Sequence, residues 1–128
     1  MNAVPPHASA VVLFGHGARD PEWAGPMQRI RTRMLAAPEA PRVELAFLEF
    51  IRPTLPEAIA ELAAAGVRRV AVVPVFLAQG GHLKRDLPAL IESSRRAHPE
   101  CRITLSMAAG EADEVVDAIA GYARNCLD

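Results

Sequence analysis

The chain is short of several things that would announce a function. It has only two cysteines, Cys101 and Cys126, far apart and without Cys-x-x-Cys spacing. That argues against a zinc ribbon or a redox dithiol and suits a reducing cytoplasm. No apolar run nears the roughly 20 residues that cross a bilayer as a helix. The opening Met1-Asn2-Ala3-Val4-Pro5-Pro6-His7 lacks the charged start and apolar stretch of a signal peptide. Residues 1–9 are therefore expected to be a flexible tail. Neither sign of charge dominates: the formal net charge is −1, which gives no general pull toward nucleic acid or an anionic membrane. No Gly-x-Gly-x-x-Gly opens a helix and no Gly-x-x-x-x-Gly-Lys-Ser/Thr occurs, so a dinucleotide fold and a P-loop are unsupported. Ser9, Ser93, Ser94 and Ser106 lack a nucleophile-elbow context.

What is present is a globular composition. Half of the residues (51%) are hydrophobic and 23% are charged, and 128 residues suit one domain with a real core, expected over residues 10–128. Strand and helix signals alternate. Ala10 to Phe14 is a short continuous apolar run, as expected of a strand covered on both faces. Asp20-Pro21-Glu22 resembles a helix start, followed by Trp23, Met27, Ile30 and Met34 at helical spacing. Pro26 conflicts with this, because it has no N–H to donate in the second turn. Either the first turn is irregular and the helix proper begins at Gly25-Pro26, or the helix kinks there; the irregular turn is favoured.

Pro38 and Pro41 close that helix, and Arg42 to Phe50 reads as the second strand. Thr54-Leu55-Pro56-Glu57 is a capping box that opens a helix with Leu55, Ile59 and Leu62 inward, closed by Gly66. Val67 to Leu77 holds the third strand. Asp86-Leu87-Pro88 restarts a helix, with Leu87, Leu90 and Ile91 inward. Cys101 to Met107 is the fourth strand, and Glu111 to Cys126 the last helix, with Val115, Ile119 and Tyr122 in register.

This β-α-β-α-β-α-β-α order predicts an α/β fold: a three-layer αβα sandwich on a four-stranded parallel sheet, flavodoxin-like, with strand order 2-1-3-4. In that order the connections reverse between strands one and three. Ligands of such sheets bind beyond the carboxyl ends of the strands at the reversal. Two histidines fall there. His16 lies in Phe14-Gly15-His16-Gly17, after strand one, and His82 in Gln79-Gly80-Gly81-His82, after strand three. Neutral imidazole binds cobalt, nickel, iron and zinc, and it titrates near neutrality. Glu49, ending strand two, could reach the same edge as ligand, base or orienting partner. Two imidazoles and a carboxylate would make an open metal site. Taken singly, a histidine in such a turn is more often solvated or structural, and Glu44 and Glu49 could simply face solvent from an edge strand. The argument rests on the pair of histidines at one switch point.

Basic residues gather at the same loops. Arg19 and Arg52 follow strands one and two, and Lys84 and Arg85 follow His82. They could hold carboxylates or phosphates, or could be ordinary surface charge. Arg68-Arg69 and Arg95-Arg96 read as surface, and His7 and His98 receive no role.

Four blocks, in order and spacing, closely resemble the class II tetrapyrrole chelatases. They are Phe14-Gly15-His16-Gly17-Ala18-Arg19-Asp20-Pro21, Leu45-Ala46-Phe47-Leu48-Glu49, Pro53-Thr54-Leu55-Pro56-Glu57-Ala58, and Val73-Pro74-Val75-Phe76-Leu77 with Gly80-Gly81-His82-Leu83-Lys84-Arg85-Asp86-Leu87-Pro88. The best likeness is to the short-form sirohydrochlorin cobaltochelatases. The resemblance implies ATP-independent insertion of a divalent metal, cobalt first and nickel or iron as alternatives, into a tetrapyrrole substrate, with no organic cofactor. It implies that His16 and His82 bind the metal and help take pyrrole protons; Glu49 joins them as a catalytic candidate on the strand topology alone. It gives Arg19, Arg52, Lys84 and Arg85 the task of holding substrate carboxylates. It also implies a homodimer, because one small domain offers a broad macrocycle only one wall.

Two other classes compete. Histidine phosphatases carry Arg-His-Gly after a strand, and here Gly15 stands where that arginine would be needed. A carrier of metal or tetrapyrrole without turnover is the other.

Overall fold

The computed structural model describes residues 8–127. The expected tail up to His7 lies outside the described residues, but Ser9 does not belong to a tail, since strand β1 (Ser9–Gly15) already includes it. Three further strands follow: β2 (Arg42–Phe47), β3 (Arg69–Pro74) and β4 (Arg102–Leu105). All pair in parallel, in the order β2-β1-β3-β4 that was expected.

Side chains alternate along each strand, so one strand feeds two cores. Val12, Phe14, Val70, Val72 and Ile103 point to one face. There they meet α2 (Leu55–Ala64) through Leu55, Ile59 and Leu62, and α3 (Gly81–Ala97) through Leu83, Leu87 and Ile91. Leu13, Val43 and Phe47 point to the opposite face, where α1 (Gly25–Leu35) covers them with Met27. The start of α1 takes the favoured form. Asp20 caps a 3-10 turn, Pro21–Ala24, and α1 follows with Pro26 in its first turn, where a missing N–H costs nothing. The capping box of α2 also forms: the Thr54 hydroxyl accepts from the Glu57 N–H at 3.3 Å, and the Glu57 carboxylate accepts from the Thr54 N–H at 2.9 Å.

Several boundaries differ from expectation. β2 stops at Phe47 rather than Phe50, because the chain bends away and Phe50 takes a left-handed φ of 69°. β3 stops at Pro74 rather than Leu77, where proline has no N–H for the ladder. α3 starts at Gly81, not Asp86, and carries Pro88 in its interior. An interior proline costs about 3 kcal/mol. The cost is outweighed by a stripe that runs straight past it, Leu83, Leu87 and Ile91, all buried, while Pro88 itself faces solvent. The largest departure is α4 (Asp113–Asn125). It has the expected apolar register, yet it buries no residue, and its main contact is with the 3-10 turn that precedes it rather than with a strand.

Candidate active site

The carboxyl edge of the sheet is assembled by backbone hydrogen bonds between loops. The Leu48 N–H donates to the Gly15 carbonyl at 2.9 Å, and the Glu49 N–H to the His16 carbonyl at 3.0 Å. These bonds carry the β1–β2 pairing past the strand ends and lay the two loops side by side. Gly17 makes the approach possible. Its φ is +87°, and a Cβ there would collide with the Glu49 carbonyl. On the other side the Val75 N–H donates to the Phe14 carbonyl at 2.8 Å, which brings the next residue, Phe76, over the loop after β1.

His16 is exposed, and its imidazole lies against the Phe76 ring, centroids 4.7 Å apart and inclined at 45°. Phe76 in turn meets Phe14 edge-on at 5.9 Å. The imidazole thus stands on an aromatic step rooted in the core, with its edge open to solvent.

His82 is also exposed, but not in a turn as expected. It lies in the first turn of α3, where Gly80 is the N-cap and the Lys84 N–H closes the turn onto the Gly80 carbonyl at 3.1 Å. Because β1 and β3 are neighbours, His16 and the helix carrying His82 rise from the same carboxyl edge, at the reversal of strand order. Among the described residues no three His, Cys, Asp or Glu side chains come together in a way that could hold a metal ion. The expected cluster of His16, His82 and Glu49 is therefore not closed within one chain. The backbone hydrogen bond joins Glu49 to the loop of His16 and leaves its side chain exposed.

The four basic candidates fare differently. The Arg19 guanidinium carbon sits 4.9 Å from the centroid of the Phe50 ring, at the rim. Lys84 and Arg85 project to solvent from the start of α3 and enter no ion pair among the described residues. Arg52 is already engaged, as its guanidinium pairs with the Glu57 carboxylate. The pair raises Arg52 above its ordinary value and, with the Thr54 N–H, holds Glu57 at about 2. Residues 48–54 are thus tied to the cap of α2, and Arg52 is the least free of the four to take a substrate carboxylate.

The edge is a shelf rather than a pit. A recess of about 270 Å³ opens beside it, lined mainly by Phe14, Phe47, Leu48, Leu55 and Leu90. The exposed Phe50, Leu77 and Met107 add apolar surface at the strand ends. A groove of about 530 Å³ runs along the outer side of β2 between α1 and α2, and it contains neither histidine.

Residues 10–125 match the family model CbiX. The chain belongs to the CbiX family. It is 42% identical over 82 residues to the sirohydrochlorin cobaltochelatase of Methanopyrus kandleri, an alignment covering 64% of this chain and 57% of that protein. Against the sirohydrochlorin cobaltochelatase of Methanocaldococcus jannaschii the identity is 39% over the same shares. The match thus spans somewhat over half the length of these relatives. Its fold is similar to that of a protein described as a cobalamin (vitamin B12) biosynthesis CbiX protein from Marinobacter aquaeolei VT8, with a TM-score of 0.80 and 28% identity, covering 93% of this chain and 97% of that one. It is also similar to the sirohydrochlorin chelatase SirB from Bacillus subtilis subspecies spizizenii in complex with cobalt, with a TM-score of 0.74 and 28% identity, covering 91% of this chain and 50% of that one.

In this CbiX chain the residue that sequence reasoning passed over is Phe76. It stood in the quoted Val73–Leu77 block, but nothing in the sequence says that a phenylalanine after β3 turns toward a histidine after β1. The glycine before His16 also gains a reason. A Cβ at Gly15 would come 2.5 Å from the Met27 sulfur, so any side chain there would require the Met27 side chain to move.

Proposed function

We propose that the protein inserts a divalent metal into sirohydrochlorin, with cobalt as the first candidate, without ATP. The observation that carries this reading is the placement of two exposed imidazoles, His16 and His82, on one carboxyl edge of a CbiX-family fold. In this reading His16 and His82, in their neutral forms, hold the incoming metal. Their incomplete ligand set suits a metal that must leave: a closed protein cage would retain it, whereas two imidazoles plus water yield it to the macrocycle nitrogens. As the metal enters, the N–H protons of the macrocycle depart, and an imidazole freed of metal can accept them. The apolar shelf of Leu48, Phe50, Leu77 and Met107 suits the face of a large ring, while Arg19, Lys84 and Arg85 suit its carboxylate arms. Positioning supplies most of the acceleration, since ring and metal otherwise meet in random orientation.

The shelf gives a macrocycle one wall. A second copy of the chain would give the other, and this chain covers half the length of SirB. The homodimer with a shared cleft, and a reducing cytoplasm in which Cys101 and Cys126 stay unpaired, belong to the same proposal. Iron is the second metal to weigh, because a SirB structure from Bacillus subtilis holds Fe3+.

The test is an absorbance assay of sirohydrochlorin with cobalt, nickel and ferrous iron in parallel. Steady-state turnover with at least one metal is expected. Stoichiometric binding without turnover, with all three, would replace the reading by a carrier.

A further inference from the structure

We infer that Phe50 is a positioning residue: its ring holds the Arg19 guanidinium at a fixed place on the rim, so that Arg19 takes one carboxylate arm of the macrocycle and fixes how the ring is turned about the metal. This deepens the reading above and rests on it.

The first observation is the backbone at Phe50. Its φ is 69°, and its side chain is 58% exposed. The Ile51 N–H turns back onto the Glu49 carbonyl at 2.8 Å, which closes a three-residue γ-turn with Phe50 at its centre. With a positive φ this is the rare, strained form of the turn, and a bulky aromatic is an uncommon residue to find in it. Such a conformation persists only where its surroundings fix it. Here they do. The Phe47 N–H donates to the Pro53 carbonyl at 2.9 Å and closes the loop 48–52 at its base. The Glu49 N–H holds the near side of that loop to the His16 carbonyl. Phe50 is thus presented at the tip of a loop that is pinned on both sides, and burial does not explain why a large ring stands there.

The second observation is what the ring touches. The Arg19 guanidinium carbon lies over it, 4.9 Å from the centroid. A cation over a ring is held by the π face and needs no hydrogen bond. Arg19 is therefore restrained with its N–H donors free, and it enters no ion pair among the described residues. Arg52 shows the contrast: Glu57 holds it through the same donors that a substrate would need. A guanidinium that is fixed in place with an open fork suits two-pronged capture of a carboxylate.

The third observation is the distance along the chain to the metal-binding candidate. Arg19 follows His16 by three residues, and Phe50 follows the residue bonded to the His16 carbonyl by one. The pair therefore bridges the same two loops that build the rim beside His16. A planar ring centred on a metal can still rotate in its own plane. One charged anchor at its periphery removes that rotation, which is the orientation that aligned insertion requires. The ligand recognised is a short carboxylate arm on the edge of a macrocycle, and Phe50 acts on it only through Arg19.

The test reads the Kd for metal-free sirohydrochlorin by absorbance titration, together with insertion kinetics. Phe50→Leu keeps apolar bulk and loses the π face, so Kd and KM are expected to rise about tenfold while kcat changes less than about twofold. Phe50→Tyr keeps the face and should bind within about twofold of wild type. Arg19→Gln should weaken binding as much as Phe50→Leu, and the double variant should be no weaker than Arg19→Gln alone, since the two residues act as one unit. Added salt should weaken binding by the wild type more than binding by Phe50→Leu. Phe50→Gly relieves the turn, so it should melt no lower than wild type and yet bind as weakly as Phe50→Leu. Wild-type affinity in Phe50→Leu would overturn the inference. So would losses that multiply in the double variant, which mark an apolar contact independent of Arg19, or a Phe50→Gly chain that melts well below wild type, which marks a structural ring. Coupled effects on binding without metal insertion sink the chelatase reading alone, and insertion with uncoupled effects sinks this inference alone.

Discussion

The Phe76 ring supports the His16 imidazole at 4.7 Å, and the two residues come from the ends of adjacent parallel strands. An aromatic contact of this kind is worth about 0.5–1.5 kcal/mol, enough to favour one ring orientation. Phe76 touches the histidine and is therefore a positioning residue. Phe76→Ala is expected to lower kcat for metal insertion about tenfold with a smaller change in the KM for metal, while Phe76→Tyr restores most of the rate. Equal loss in both variants would mean that the ring matters only for packing.

The histidines should behave unlike core residues. His16→Ala and His82→Ala each remove an exposed side chain, so stability should change by no more than about 0.5 kcal/mol. Insertion rates should fall by about 10²–10⁴, the range for loss of an acid–base or ligand group. Urea titration and the absorbance assay, run on the same samples, check both halves. Wild-type rates in either variant would remove that residue from the mechanism.

Gly17→Ala should be costly for a different reason. It forces a left-handed φ on alanine and pushes a Cβ into the Glu49 carbonyl, so the loops after β1 and β2 must separate. A loss of about 1–3 kcal/mol, read as a lower melting temperature, is expected together with reduced insertion. A variant as stable as wild type would show that the loops part without strain.

Acid should loosen the start of α2. The Glu57 carboxyl is held at about 2, against an ordinary 4.5, first by the hydrogen bond from Arg52 and then by the Thr54 N–H. Between those values the unfolded chain takes up a proton that the folded chain refuses. The contribution is thus fully present above pH 4.5 and fades as pH falls toward about 2. Both side chains are partly or largely exposed, so solvent screening keeps the effect modest. Glu57→Gln should melt lower than wild type at neutral pH and converge with it at the acid end. Parallel curves across that window would count against the pair.

Leu62→Ala tests the larger core. Leu62 is 0% exposed and packs in the layer formed by α2, α3 and the sheet. The truncation should cost about 2–5 kcal/mol by denaturant titration. Activity per folded molecule should be unchanged, since Leu62 does not reach the carboxyl edge.

The strands and helices themselves, the capping box at Thr54 and Glu57, and the irregular start of α1 were legible in the residues because each rests on local rules, and the strand order followed from the rules that govern alternating strands and helices. Alternating apolar runs, a side-chain cap and a proline without an N–H act within a few positions of themselves. The start of α3 was misjudged for a related reason. Pro88 is a strong local signal, but the stripe Leu83, Leu87 and Ile91 buries more than the proline costs, and that balance exists only once the sheet is there to receive it. Both histidines were placed at the correct edge because topology alone assigns strand ends to a side. Their immediate surroundings were not legible. Whether Phe76 turns toward His16, whether Arg52 is already taken by Glu57, and whether three ligands close on a metal depend on loop paths spanning strands far apart in the chain.

By itself, then, the sequence determined which elements form, that they alternate, and on which rim the chemistry-bearing residues emerge, since hydrophobic period and turn chemistry are properties of neighbouring residues. Only the tertiary structure decided what those residues touch and what α4 does not touch. An amphipathic stripe says that a face will be buried but carries no address for its partner, because burial is non-directional and is settled by whichever apolar surface the folded chain leaves open.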